Sequence, residues 1–256
     1  MRKKAKYIVL GIVFLLFVLV VAAIFRFRAR YGENTLVVYF SRVGNTDFSE
    51  DVDAVSSASL RKERSGKLVG NAEVLANDIH DFTGADIHEI QVRDAYPQDY
   101  EQTVDRASEE RNQNTRPELL NHVDNMQKYE NIILIYPVWW STVPMPVYTF
   151  LEEYDFAGKT LVPIATHKGS FLGNSVSDLK QALPQSDVKN GVAISGSSVD
   201  FLKYWVIGVL TGMILLIFFI HMMQQYKENP VRYKIWFLCA VISLVVIVIC
   251  VVKLLI

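Results

Sequence analysis

Five short, β-rich apolar runs, spaced by stretches of helical character, narrow the fold of this chain further than any other feature. The runs are Leu36–Phe40, Ile87–Val92, Asn131–Ile135, Thr160–Ala165 and Gly191–Ser195. The first of them lacks clear alternation of apolar with polar residues, the mark of a strand buried on both faces. Between the runs, Asn71–Phe82 places Val74, Leu75, Ile79 and Phe82 on one helical face, and Gly84 stops it. Tyr100–Glu110 reads as a polar helix, Pro146–Glu153 and Ser175–Leu183 as further helices. Strands alternating with helices predict an α/β domain, a doubly wound parallel sheet covered on both faces. Such sheets bind ligands beyond the carboxyl ends of their strands, at the point where strand order reverses. The informative loops are therefore those after the first, third and fourth strands.

After the first strand comes Ser41-Arg42-Val43-Gly44-Asn45-Thr46. Hydroxyls, a glycine and free backbone N–H groups suit a phosphate, above all where a helix begins. The acidic stretch Asp47–Asp53 opens no good helix. A second Gly-Asn, in Val69-Gly70-Asn71-Ala72, directly starts the amphipathic helix instead. Residues 48–68, rich in serine and charge, thus read as an insert that divides the phosphate loop. Ser41 and Arg42 then approach a phosphate from one side, and Gly70, Asn71 and Ala72 from the other; Asn45 and Thr46 are further candidates.

After the third strand comes Pro137-Val138-Trp139-Trp140, followed by Pro144 and Pro146. Adjacent tryptophans in a proline-stiffened loop offer a flat shelf for a planar ring, with one indole facing the site and the other turned away. The competing role for both indoles is packing in the core or against a membrane. After the fourth strand comes Thr166-His167-Lys168-Gly169-Ser170-Phe171-Leu172-Gly173. Thr166, Gly169, Ser170 and Gly173 let backbone groups reach polar ring edges, and Phe171 suits the ring's other face. His167 either donates to the ring or caps its own loop.

Outside this body lie three uncharged runs of 17 to 19 residues, Tyr7–Phe25, Tyr204–Ile220 and Ile235–Val252. Each approaches the roughly 20 residues that cross about 30 Å of hydrocarbon. Residues 1–30 read as an uncleaved signal anchor, because Arg26, Arg28 and Arg30 follow the run where a cleavage site would need small residues. Residues 201–256 read as a transmembrane helical hairpin turning at Asn229-Pro230, with Trp205 and Trp236 near the run ends. Gly208 and Gly212 form a GxxxG suited to packing within that hairpin.

Residues 31–200 carry 14 Lys/Arg against 26 Asp/Glu, while the rest of the chain carries 12 against 1. An acidic body on basic membrane flanks argues against nucleic acid as a partner, since phosphate binding needs a basic face. It suits docking to a partner protein with a basic face, or simply solubility. An inside N-terminus leaves seven basic residues on the inner side and five on the outer, a lean towards an extracytoplasmic body in a cell membrane. The opposite orientation, with the body on the cytoplasmic side, is the alternative. The two cysteines, Cys239 and Cys250, lie in the third uncharged run, so the body has no thiol nucleophile. Its histidines lack metal-ligand spacing, which argues against a metal centre.

Together the three loops, as YFSxxGNT, YPxWWxxxPMP and THxGSxxG, resemble the flavodoxin family over about Thr35 to Ser198. The resemblance implies a five-stranded sheet in the order 2-1-3-4-5 with FMN at the switch between its first and third strands. Ser41, Arg42 and the Asn71 helix start would hold the phosphate, Pro137–Trp140 would flank the ring, and Thr166–Gly173 would complete its pocket. Ala72 departs from the pattern, standing where a threonine would close the second Gly-Asn-Thr. The leading expectation is a membrane-anchored FMN electron carrier. An FMN-dependent NAD(P)H or quinone reductase and a flavodoxin-fold binding module without cofactor are the alternatives.

Overall fold

The structure, a computed structural model, describes residues 32–48, 58–63, 65–199, 212, 215–216, 218–223, 225–226 and 228–255, with side chains in the last helix described to Val246. The anchor run Tyr7–Phe25, Gly208 and most of the second uncharged run lie outside these residues, as does the centre of the 48–68 insert. The chain divides into two units between Val199 and Asp200.

In the first unit, β1 (Thr35–Phe40) is buried at every position. Val37, Val38 and Phe40 are fully enclosed, each contributing roughly 1.5–3 kcal/mol of apolar burial. It pairs in parallel with β4 (Asp86–Ile90) on one side and with β5 (Asn131–Pro137) on the other. Next come β6 (Thr160–His167), then the short β7 (Asp187–Val188) and β8 (Val192–Ser195), both parallel to β6. Counting β7 and β8 as one broken strand, the order is 2-1-3-4-5, as the family resemblance implies.

The break has a visible cause. β7 pairs with Thr160 and Leu161, β8 with Ile164 to His167, and the gap falls opposite Val162 and Pro163. Proline brings no N–H to a ladder. Gly191, at φ +75°, crosses there, where a side chain would stand 3.0 Å from the Pro163 carbonyl oxygen.

Helix α1 (Asn71–Thr83) packs Ala72, Leu75 and Ala76 inward. Phe82, expected on that face, is instead 54 % exposed, because Thr83 takes the inward position of the last turn. Helix α2 (Tyr100–Asn112) starts at Asp99, whose carboxylate accepts from the Gln102 N–H at 2.9 Å. Helices α3 (Met145–Glu153) and α4 (Ser175–Ala182) follow β5 and β6. The insert does not re-enter as loop. It ends in an antiparallel hairpin of β2 (Leu60–Lys62) and β3 (Leu68–Gly70), so β3 runs straight into α1.

In the second unit, α5 (Pro230–Leu255) contains the third uncharged run. Asn229 caps it, its Oδ1 accepting from the Arg232 N–H at 3.1 Å. Trp236 stacks on Phe219 at 5.9 Å and meets Phe218 edge-on at 6.2 Å, so ends of the second and third runs lie side by side. Among the described residues no helix is long and apolar enough to cross a membrane.

Candidate functional site

The divided loop after β1 is rejoined in space. Ser41 is fully buried, and a β-carbon on Gly70 would stand 1.9 Å from its hydroxyl oxygen. The first turn of the β1 loop and the start of α1 therefore meet, as the two Gly-Asn pairs suggest. Part of this helix start is already engaged. The Gly70 N–H donates to the Glu73 carboxylate at 3.1 Å and the Asn71 N–H to the Ser59 carbonyl at 2.9 Å, while the Asn71 side chain donates to the Ala58 carbonyl at 2.9 Å. The N–H groups of Ala72 and Glu73 remain, out of reach of any helical carbonyl.

Asn45 acts as a fastener. Its amide nitrogen donates to the carbonyls of Ser41 (2.8 Å) and Ile90 (2.9 Å), and its oxygen accepts from the Val92 N–H at 2.7 Å. These bonds tie the β1 loop to the β4 loop and use both amide protons, so its side chain serves the loops and not a ligand. Thr46 joins Tyr96 in a short parallel bridge, and its buried hydroxyl has no partner among the described residues.

Arg42 is the larger correction. It is 3 % exposed, and its Nη2 donates to the carbonyls of Pro97 (3.0 Å) and Gln98 (2.7 Å) and to the Thr103 hydroxyl (3.0 Å). The guanidinium thus holds the start of α2 against the β1 loop, which leaves Nε buried and without a partner among the described residues. Burial lowers the Arg42 pKa, partly offset by Asp99.

Behind the Gly44 turn lies a carboxylate pair. Gly44 has φ +89°, and a β-carbon there would stand 2.2 Å from Glu89 Oε1. Burial, and next the charge of Glu73, push the Glu89 carboxyl up to about 7, while Gln91 donates to it at 3.0 Å. The neighbouring Tyr39 phenol is pushed up by burial and then by Glu89.

The cavity lies beyond the carboxyl ends of β1, β5 and β6 and encloses about 330 Å³. The β1 loop contributes Arg42, the β5 loop Val138, Trp139 and Trp140, and the β6 loop Lys168 and Ser170. Two sets of lining residues were missed by the sequence reading: Ala58 and Ser59 at the insert's end, and Tyr100, Thr103, Val104 and Ala107 on α2. The four α2 residues recur at helical spacing, the one signal that marks them in so polar a segment.

Both tryptophans line the cavity, with different duties. Trp139 lies edge-on to Phe40 (5.4 Å) and Tyr96 (5.2 Å) and donates from Nε1 to the Ser59 hydroxyl at 3.0 Å. Trp140, at φ +50° and 45 % exposed, donates to the Val104 carbonyl at 3.2 Å. Pro137 is the buried last residue of β5, and Thr166 and His167 are the last of β6, extending both strands beyond their expected ends.

The Thr166 hydroxyl is buried without a partner among the described residues. His167 caps its own loop, since Nδ1 accepts from the Gly169 N–H at 2.9 Å, and burial lowers its pKa. That bond puts the ring proton of neutral His167 on Nε2. Phe171, at φ +51° and 67 % exposed, lies over the His167 ring at 4.9 Å and does not line the cavity. Gly173 is required by contact: a β-carbon would stand 2.4 Å from the Ser141 carbonyl oxygen, which also accepts from the Asn174 N–H at 2.7 Å.

A parallel sheet in the order 2-1-3-4-5, with a cavity over the ends of its central strands, defines a doubly wound ligand-binding fold of flavodoxin type. The chain belongs to the flavodoxin family, whose sequence profile matches residues 64–209. Among solved structures, a protein of Bacteroides uniformis assigned as a flavoprotein is 27 % identical, with a TM-score of 0.51 over 69 % of this chain and 99 % of that one. A counterpart from Bacteroides eggerthii is 26 % identical over 66 % of this chain and 94 % of that one, with a TM-score of 0.49. A Lactobacillus acidophilus flavoprotein crystallised with FMN is 21 % identical over 66 % and 97 %, with a TM-score of 0.45. No protein of curated function matches the sequence.

Proposed function

We propose that the chain binds FMN in the cavity above β1, β5 and β6 and carries electrons at a membrane surface. The observation that carries this reading is the convergence of Arg42, Trp139, Trp140, Lys168 and Ser170, from three loops distant in sequence, on one cavity. The residues fit the ligand. Among the described residues, two cations and no carboxylate line the cavity, an arrangement suited to an anion in an otherwise acidic body. The indoles of Trp139 and Trp140 offer flat apolar surface for a ring. The buried Thr166 hydroxyl and Arg42 Nε are polar groups in want of a partner. For the phosphate, the candidate donors are Ser41 and the first-turn N–H groups of Ala72 and Glu73, which do not themselves line the cavity.

FMN, when bound, supplies reversible one- and two-electron chemistry. The protein's part is to hold and orient it. Trp139, braced by Phe40 and Tyr96, fixes one wall, and Arg42 locks α2 as another. The β6 loop closes a third wall, pinned to Ser141 through Gly173 and Asn174.

The membrane part of the proposal rests on the three uncharged runs and on the hairpin geometry around Trp236. The basic flanks would meet lipid headgroups, and the acidic body a redox partner with a basic docking face. Purification of the full chain in mild detergent tests both parts. A yellow protein that resists alkaline carbonate extraction is the expected result. A colourless protein that takes up no added FMN removes the redox reading, and extraction by carbonate removes the anchor. Bleaching by NADH or NADPH alone would make the protein a reductase, whereas a carrier keeps its colour until a reductase is added.

A further inference from the structure

Among the described residues, Lys168 stands in the cavity wall under conditions shared by no other charged group there. The β6 loop fixes its backbone: the preceding His167 ends a strand, and Gly169, at φ +104°, folds its N–H back onto His167 Nδ1. Its side chain is exposed and makes no ion pair or hydrogen bond with the described residues. Arg42, the second cation of the cavity, differs, since its Nη2 is held by the carbonyls of Pro97 and Gln98. Lys168 is therefore the cavity charge free to turn towards a change of charge inside.

This matters because the body is acidic. Taken over the whole domain, its excess of carboxylates opposes any negative charge added to a ligand. Solvent-exposed charges, however, are screened beyond about 8–10 Å at physiological ionic strength. A lysine in the cavity wall acts at shorter range. The local charge therefore outweighs the distant ones.

We propose that Lys168 sets the redox poise of the site, its ammonium stabilising the negative charge that reduced FMN holds on its ring. The inference rests on FMN occupying this cavity. Two electrons and one proton enter the ring on full reduction near neutral pH, and one negative charge stays there. Lys168 binds that form more tightly than the oxidised one, and the potential rises in proportion to the logarithm of the ratio of the two affinities. It acts on the cofactor's charge and transfers nothing itself.

The test uses the full chain in detergent, with Lys168→Met and Lys168→Arg variants. Affinities for oxidised and dithionite-reduced FMN are measured, and the midpoint potential is read by equilibration with a dye. Lys168→Met is expected to lower the preference for reduced over oxidised FMN about tenfold, which is a potential lower by about 30 mV for a two-electron couple. Lys168→Arg is expected to keep it within about twofold. Sulfite, which adds to the oxidised ring and leaves a negative charge on it, should bind the Met variant more weakly by a similar factor. If both proteins bind FMN and neither the potential nor the sulfite affinity moves, the role of Lys168 is overturned while the FMN reading stands. If the wild-type chain takes up no FMN, that reading fails and the inference falls with it.

Discussion

The hydroxyl of Ser41 occupies the space that a β-carbon on Gly70 would need, only 1.9 Å from where that carbon would stand, although 28 residues intervene in the chain. In the proposed reading, that contact closes a phosphate loop which the sequence leaves in two pieces. Gly70 sits at φ −80°, a conformation open to any residue, so the demand for glycine comes from space alone. Gly70→Ala should overpack the junction, at a cost of about 1–3 kcal/mol. It should also weaken FMN at least tenfold in fluorescence titration. An alanine variant that binds FMN like wild type would show that this junction is not the phosphate end.

Asn45→Ala tests the fastener between the β1 and β4 loops. It strips partners from the carbonyls of Ser41 and Ile90 and from the Val92 N–H in a buried setting. Each such loss costs roughly 1–3 kcal/mol, in part relieved by water. A total near 3 kcal/mol is expected in chemical denaturation of the FMN-free protein. A change below about 1 kcal/mol would assign Asn45 a lesser role than its bonds suggest.

The two tryptophans should separate stability from binding. Trp139→Ala removes an indole packed edge-on against Phe40 and Tyr96 and should cost about 3 kcal/mol or more. Trp140 is far more exposed, and its loss should leave the Tm nearly unchanged while weakening FMN. Thermal unfolding without FMN, paired with FMN titration, reads the two effects apart. Equal destabilisation by both variants would refute the division of labour.

Glu89 gives the body a defined pH response. Its folded-state pKa, about 7, lies above the ordinary 4.5, so the folded state holds its proton more tightly than the unfolded chain does. Between those values the unfolded state binds fewer protons, and this contribution to stability is lost as pH rises towards 7. Above that range the carboxyl is ionised in both states and the contribution is flat. Allowing for solvent screening, the loss is roughly 1–2 kcal/mol, or about 2–8 °C in Tm. Glu89→Gln should flatten the profile between pH 5 and pH 8, and an unaltered slope would place the titrating group elsewhere.

How far the sequence discloses this arrangement depends on the kind of information each residue carries. The covered parallel sheet was legible because β1 lacks alternation and strands alternate with helices, whereas the order 2-1-3-4-5 came from the family resemblance. The three loops were legible because glycine, proline and tryptophan report backbone shape and flat surface directly. The direction in which Arg42 points was not, since a charge in a loop serves a ligand or a carbonyl equally well. Nor was the cavity face of α2: the helix itself was expected over Tyr100–Glu110, but it is polar nearly throughout and meets the cavity through a narrow strip of Thr103, Val104 and Ala107. The break of the last strand was readable only in hindsight, from Pro163 on its neighbour and not from Asp187–Ser195 itself.

The β2–β3 hairpin makes this protein a natural chassis for a reporter. Its turn carries Gly66 at φ +86°, around which a side chain would meet nothing within 4 Å. Its far end pairs Leu60 with Gly70, two positions from Ala72. A fluorophore or small domain spliced in at Gly66 would ride on a lever only about 10 Å long, with occupancy of the helix start as its input and a change of light as its output.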